Sequence, residues 1–322
     1  MQGKVLPERS AQQVYVGIDV CKAWLDVYLH PIGHPFRVAN SREGLKRLKR
    51  ELAPLKVALI VLEATGKYHR EAHRSLHAAG FAVAVVNPLR SRRFAEAAGQ
   101  LAKSDRLDAR MLAILGESLA PKATPPAPET VEELAELVRA RAAAIADLTA
   151  LTNQKGESKT AVLKRELARR IRATGTSIVR LEAEIERRIK SDDALARRFA
   201  ILRSIKGIGP VAAAALLVGL AELGACSGKQ AALLAGLAPV ACDSGETHGA
   251  RRIRGGRAHV RVALYMAALA AAHCNPDLRD FYRRLRANGK KFKVAITAVM
   301  RKLVVLANTL IREDRLWQPR HA

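Results

Sequence analysis

Acidic side chains are scarce in this 322-residue chain: 30 Asp and Glu stand against 55 Lys and Arg, a formal net charge of +25. That balance points to a polyanionic partner, first of all a phosphate backbone, whose binding is driven by counterion release. An anionic membrane surface is the weaker alternative. Aromatic residues make up only 4%, too few for a long base-stacking platform, although Phe281, Tyr282 and Phe292 can stack locally. The four cysteines, Cys21, Cys226, Cys242 and Cys274, form no Cys-x-x-Cys pair and have no His at finger spacing. This argues against structural zinc and against a disulfide framework, so they read as free thiols. The N-terminus lacks an apolar secretory stretch, and the apolar runs around residues 211–223 and 262–272 are too short to span a bilayer. A cytosolic (cytoplasmic) protein with no membrane partner is expected.

The length allows two or three domains, since single cores rarely grow past ~250–300 residues. Residues 1–128 alternate strand and helix signals. Runs at 14–20 and 23–30 form a hairpin pattern, and 36–39 adds a third strand. Ser41 is placed to cap a helix ending at Leu52. An apolar run at 57–62, a helical pattern over 67–79 and a strand over 81–86, stopped by Asn87-Pro88, complete the region. The order predicts a mixed sheet covered by helices, an α/β fold. Four prolines between Pro121 and Pro128 suit a semi-rigid linker and a domain boundary.

Residues 129–190 form a helical region. Thr130-Val-Glu-Glu133 has capping-box spacing, and Val131, Leu134, Val138, Ile145 and Leu148, then Ile178, Leu181, Ile185 and Ile189, recur at helical intervals around a polar stretch. The pattern predicts a helical hairpin or coiled coil, which either pairs with another subunit or packs on its own domain. Residues 191–322 are Ala- and Leu-rich with basic faces, helical over 211–223, 229–237, 258–273, 278–287 and 291–312. Between two of those helices lies a Gly-rich loop over 241–257, and long loops in compact domains are often functional.

The few acids in apolar surroundings carry the chemistry. Asp19 sits in Val-Gly-Ile-Asp-Val and Glu63 in Val-Leu-Glu-Ala, where an unpaired charge is expensive. Asp105 and Asp108, in Lys-Ser-Asp-Arg-Leu-Asp-Ala, share one face of a predicted helix. Hard cations such as Mg²⁺, with Mn²⁺ as a substitute, take carboxylate oxygens, and phosphoryl transfer uses them to stabilise attacking and leaving oxygens. In the plainer reading, Asp105 favours a helix N-terminus behind Ser104 and Asp108 pairs with an arginine.

Gly207-Ile-Gly209 joins two helical segments as in helix-hairpin-helix motifs, where glycines let backbone N–H groups approach a phosphate; a turn without a ligand is the alternative. Ser244, in Asp-Ser-Gly on the Gly-rich loop, has the chemistry to attack a phosphate with Arg251, Arg252, Arg254, Arg257 and Arg261 around it, although Asp-Ser-Gly is also an ordinary turn. Basic residues continue from Arg279 through Arg301 and Lys302, opposed mainly by Asp277 and Asp280. That is too one-sided for a merely solvated face and implies contact with a nucleic-acid backbone.

Taken in order, Val-Gly-Ile-Asp19-Val, Leu-Glu63-Ala-Thr-Gly, Lys-Ser-Asp105-Arg-Leu-Asp108-Ala, Ile-Lys-Gly-Ile-Gly-Pro, Leu-Ala-Gly-Leu-Ala-Pro, Asp-Ser244-Gly and the late Val-Met-Arg-Lys-Leu resemble the DEDD-type insertion-sequence transposases, the IS-one-ten family, which includes pilin-inverting recombinases. The resemblance covers nearly the whole chain. It implies an N-terminal RuvC-like domain of RNase H fold with Asp19, Glu63, Asp105 and Asp108 as a Mg²⁺-binding tetrad. It also implies a C-terminal transposase domain with Ser244 as nucleophile. The family resemblance further implies recombination of target and donor DNA through a covalent phosphoserine and a Holliday-junction-like state. A non-coding bridge RNA would pair with both DNAs, and homo-oligomers, dimers assembling to a tetramer, would build a composite site between subunits. Guide pairing would account for a basic chain with no evident base-reading helix. Two other readings stay open: a Holliday-junction nuclease in which the carboxylates activate water, and an architectural nucleic-acid-binding protein with an inactive first domain.

Overall fold

The computed structural model describes residues 13–100, 105–241, 243, 249 and 251–319, the side chains of 105 and 106 excepted. It divides into two compact units, Met1–Ala127 and Pro128–Ala322.

In the first unit, β1 (Val14–Val20), β2 (Trp24–His30), β3 (His34–Ala39), β4 (Val57–Glu63) and β5 (Val83–Val86) form one sheet in the order β3-β2-β1-β4-β5. The first three strands are antiparallel, whereas β4 and β5 run parallel to β1. Strand alternation divides the side chains between two faces. Val16, Ile18, Leu25, Val27, Ile60 and Leu62 meet the buried leucines of α1 (Arg42–Leu52) and α2 (His69–Ala78) on one face. Ser41 caps α1, its hydroxyl oxygen accepting from the Gly44 N–H at 3.2 Å.

Asn87-Pro88 does more than stop a strand: it opens α3 (Pro88–Ala97). Asn87 Oδ1 accepts from the Leu89 N–H at 2.8 Å, and Pro88 occupies the first turn, where a missing N–H costs nothing. On the second sheet face Leu59, Val61, Ala84 and Val86 pack against Leu112 and Leu115 of α4 (Asp105–Leu119). The helix can lie on β1 because Gly17 has no side chain; a methyl there would overlap the Ala109 carbonyl oxygen and the Ala113 nitrogen. Beyond α4 the proline-rich segment is tied to this unit. The Thr124 N–H donates to the Val83 carbonyl at 3.0 Å, and the buried His73 ring meets the Thr124 carbonyl at 2.8 Å, which covers the outer edge of β5.

The second unit opens with α5 (Glu129–Glu157) and α6 (Ala161–Lys190). Thr130 does not cap α5. Pro128 holds the cap position, and the Thr130 hydroxyl reaches Asp192 at 3.5 Å. The pairs Arg141–Glu182, at 2.6 Å, and Arg188–Glu133 show that the two helices run antiparallel. Leu134, Ile178, Ile185 and Ile189 are buried, whereas Ile145, Val162, Leu163 and Val179 are exposed. Leu167, near the turn between the two helices, is buried as well, and of the periodic positions only Ile145 is exposed.

Then follow α7 (Asp193–Ser204), α8 (Pro210–Gly219), α9 (Gly228–Leu234), the two-stranded β6 (Pro239–Val240) and β7 (Arg252–Ile253), α10 (Ala258–Cys274), α11 (Pro276–Ala287) and α12 (Phe292–Arg312). The α8 helix stops at Gly219, short of the expected residue 223: Leu220 leaves the helical conformation, at φ −141° and ψ 65°, and Gly219 itself packs so closely on His259 and Val260 that a side chain there would not fit. By length and composition alone α12 could cross a bilayer, which corrects the expectation that no run is long enough. Ile296, Val299, Met300, Leu303 and Val304 of this helix are nevertheless buried in the unit's main core, and α12 reads as a core helix. Asn308, 1% exposed, clasps the loop ahead of α9: its Oδ1 accepts from the Gly224 N–H at 2.9 Å, and its Nδ2 donates to the Cys226 carbonyl at 2.9 Å.

Candidate active site

Asp19 and Glu63 occupy the C-terminal ends of neighbouring parallel strands. The pairing Tyr15 with Leu59, Gly17 with Val61 and Ile18 with Leu62 carries Asp19 to the level of Glu63. Both follow the alternation of Gly17 and Val61, so both belong to the face that α4 covers. The direction of α4 follows from two contacts. Ala109 and Ala113 meet Gly17, whereas Gly116, further along the helix, meets Tyr15 and Val61. The helix therefore runs antiparallel to β1, and its first turn, with Asp105 and Asp108, is carried toward the strand ends that hold Asp19 and Glu63. Three separate elements deliver carboxylates to one end of the sheet.

Local partners orient these groups. Asp19 Oδ1 accepts from the Val20 N–H at 3.0 Å, and Glu63 Oε2 accepts from the Ser91 hydroxyl at 2.7 Å. Ser91, buried in α3, was not singled out by sequence reasoning; it becomes visible only once Asn87-Pro88 is seen to start a helix. Asp26 was missed as well. It lies directly opposite Asp19 across β1–β2 and is 6% exposed, and Arg37, opposite it on β3, grips it through two hydrogen bonds of 2.8 Å. The available signal was an acid on β2 and an arginine on β3, which pair only once the register is known.

Hard oxygen donors gathered at strand ends suit a divalent cation in chemical type. Among the described residues, no group of three or more His, Cys, Asp or Glu is placed to hold a metal ion. The Asp105 side chain lies outside those residues, as does Ser104.

Ser244 also lies outside the described residues, as does Cys242; its surroundings do not. Asp243 accepts from the Gly249 N–H at 3.2 Å, and β6 and β7 pair Pro239 with Ile253 and Val240 with Arg252. Arg251, Arg252 and Arg254 are exposed there. Arg257 is not a displayed cation, contrary to the sequence expectation. It is half-buried and bonded to both carboxylate oxygens of Glu222, at 2.7 and 2.6 Å, and to the Gly219 carbonyl at 2.8 Å. The Arg257 hydrogen bonds pull the Glu222 carboxyl below its ordinary range, and Glu222 in turn raises Arg257. Arg261 likewise spends a donor on the Gly255 carbonyl, at 2.8 Å. Burial, and then Arg257 and Arg139, push the His259 imidazole down.

In the Gly-Ile-Gly turn, Gly207 is explained by packing. Its φ is +106°, and a methyl would sit 2.5 Å from the Ala271 Cβ. At Gly209 a methyl would meet only the Arg203 guanidinium, at 4.0 Å, so there the backbone is open to approach. Further on, Lys302 stands 4.3 Å over the Phe281 ring, with Arg284 at 5.7 Å, so cations of α11 and α12 gather around one ring; Arg301 is half-buried.

Comparison with known proteins brackets both regions. Residues 16–157 match a family model described as a transposase, the DEDD type of IS110, and residues 199–283 match one described as "Transposase IS116/IS110/IS902 family". A pilin gene-inverting protein of Moraxella bovis is 27% identical over 318 residues, 96% of this chain and 98% of that protein. A 42 kDa protein of insertion element IS900 from Mycobacterium paratuberculosis is 29% identical over 173 residues, 51% of this chain and 41% of its own length.

Proposed function

Because the chain belongs to the IS110 family of transposases and recombinases, acting in DNA transposition or recombination, we propose that it breaks and rejoins DNA with Ser244 as its nucleophile. The convergence of Asp19, Glu63 and the start of α4 at one end of the sheet is the observation that carries this reading. In the proposed step the serine hydroxyl oxygen bonds to a backbone phosphorus, losing its proton, and the bond from phosphorus to one sugar oxygen breaks. That oxygen leaves as a hydroxyl, with a proton taken up. One phosphoester replaces another, so rejoining needs no outside energy source. Asp19, Glu63, Asp105 and Asp108 would hold Mg²⁺ or Mn²⁺. When bound, the cation would supply Lewis-acid stabilisation of the phosphoryl oxygens.

Backbone contact falls to Gly209 and the exposed cations Arg251, Arg252, Arg254 and Lys302. A structured bridge RNA chooses the target and donor DNA. The α5–α6 pair, with exposed apolar residues along its outer half, joins subunits as dimers and tetramers, and the work takes place in the cytosol. Binding to duplex should weaken with salt, log affinity falling by about 0.9 for each phosphate neutralised; a flat response contradicts the reading.

The decisive test is trapping. The full chain with its co-purifying RNA is incubated with a plasmid carrying its own flanking DNA and a divalent cation, then quenched in denaturant. A covalent protein–DNA adduct that disappears in Ser244→Ala and in Asp108→Ala supports recombination through serine. Metal-dependent cutting that survives Ser244→Ala would instead make the chain a nuclease.

A further inference from the structure

We propose that Trp24 is a stacking platform for an unpaired DNA base beside the carboxylates of the first unit. The proposal rests on the reading of those carboxylates as the place where DNA is cut. Leu25, Val27 and Leu29 of β2 turn to the core under α1 and α2, so Trp24 and Asp26 alternate to the opposite face, the one that Gly17 and Asp19 share. Asp26 stands directly opposite Asp19, and Trp24, two residues nearer the turn, is the diagonal neighbour of Asp19. Diagonal pairs across an antiparallel ladder lie about 7–8 Å apart, within reach of an aromatic side chain. The indole therefore belongs to the same end of the sheet as Asp19 and Glu63.

The fold does not use this ring. Trp24 is 46% exposed, and among the described residues it joins neither apolar core of its unit. Its partner on β3 is Ala39, which offers no ring to pack against. The turn that carries it is nevertheless fixed. The Cys21 N–H donates to the Trp24 carbonyl at 3.0 Å, and the Trp24 N–H donates to Cys21 Sγ at 3.2 Å. Asn40 clasps the tip: its backbone N–H donates to the Ala23 carbonyl at 2.8 Å, and its Nδ2 donates to the carbonyls of Cys21, at 2.9 Å, and Tyr68, at 3.2 Å. Lys22, exposed at the tip, supplies a cation for a neighbouring phosphate. A rigid aromatic face loses little freedom on binding. In a duplex the bases cover one another, so only a base taken out of the stack can lie on an indole. Exchange of strands takes bases next to the cut out of their old pairs. Stacking one of them on Trp24 would hold its phosphate at the carboxylates, where misplacement of about 1 Å is costly.

The test uses the full chain in a Trp317→Phe background, which leaves Trp24 as the sole indole. A single-stranded DNA of about 12 nucleotides should quench its emission, while the same sequence as a duplex leaves it little changed. With one iodouracil in the strand, irradiation should cross-link the DNA to Trp24, read by mass spectrometry. Trp24→Ala should weaken single-strand binding by about 5- to 100-fold and Trp24→Phe by about threefold or less, with duplex affinity within about twofold in both. Adduct yield should fall about tenfold in Trp24→Ala and largely return in Trp24→Phe. Emission that the single strand leaves unchanged overturns the proposal. So does a loss in Trp24→Ala that is equal for single strand and duplex, and so does stacking with full adduct yield. Quenching by single-stranded RNA but not by DNA also overturns it, since the platform would then serve RNA. If Asp108→Ala leaves the adduct intact, the reading of the cutting site fails, while quenching and cross-linking still decide whether Trp24 stacks a base.

Discussion

Replacing Gly17 by alanine tests the placement of α4 more directly than any change in a carboxylate, because it adds one methyl and removes no charge. That methyl would overlap the Ala109 carbonyl oxygen and the Ala113 nitrogen and lie 3.0 Å from the Leu112 carbonyl carbon. These are backbone atoms of a helix and cannot rotate aside. Ordinary contact returns only if α4 withdraws by about 1.4 Å, and overpacking of a tight core costs about 1–3 kcal/mol. For a unit of this size that is a fall in melting temperature of about 4–15 °C. The same withdrawal shifts Asp108 relative to Asp19, so adduct yield should fall by about 100-fold even where the protein remains folded.

Two comparisons sharpen the result. Gly116→Ala meets Val61 Cγ2 at 3.0 Å, the tip of a side chain that can give, and should cost under about 1 kcal/mol. Gly80→Ala meets nothing but must hold φ +85°, and should cost about 1 kcal/mol through the backbone alone, with adduct yield unchanged. Calorimetric unfolding and adduct trapping on the three variants give the ranking. A Gly17→Ala protein with unchanged melting and unchanged yield would refute the proposed path of α4.

Other perturbations probe separate parts of the molecule. Asn308→Ala leaves the Gly224 N–H and the Cys226 carbonyl without their buried partner, and should lower stability by about 2–4 kcal/mol in urea titration. Ser91→Ala removes the hydroxyl that holds Glu63, and should weaken Mn²⁺ binding, read by electron paramagnetic resonance, by about tenfold with little change in melting. Acid should loosen α6 in a single window. Arg187 and Arg188 hold Glu184 down to about 2, and Arg169 and Arg170 do the same for Glu166, so these contacts are in place above the ordinary carboxylate value near 4.5 and are lost as pH falls toward 2. Circular dichroism of the full chain should show helix loss in that window that Glu184→Gln brings to neutral pH in part; an acid titration identical in Glu184→Gln would count against it.

The periodic signals were legible because they depend on near neighbours. Alternation in 14–20 and 23–30 and the run at 57–62 determined strands, Ser41 determined a helix start, and the order of elements determined a mixed sheet, since each apolar face must find cover. Asn87-Pro88 was read as the stop of a strand, and β5 does end at Val86; the helix that the same dipeptide opens was not read. Thr130 failed as a cap, Pro128 having started the helix earlier.

The residue types at the site, the acids in apolar runs and the loop arginines, could be picked out from the sequence alone. Their partnerships could not. Asp26 faces Asp19 only through strand register, Arg257 turns inward only because Glu222 and Gly219 lie beneath it, and Gly17 matters only because a helix from far along the chain rests on it. Composition and spacing are local properties of a chain and so determine chemistry and periodicity. Which carboxylate meets which helix depends on contacts between residues distant in sequence, and packing alone settles those.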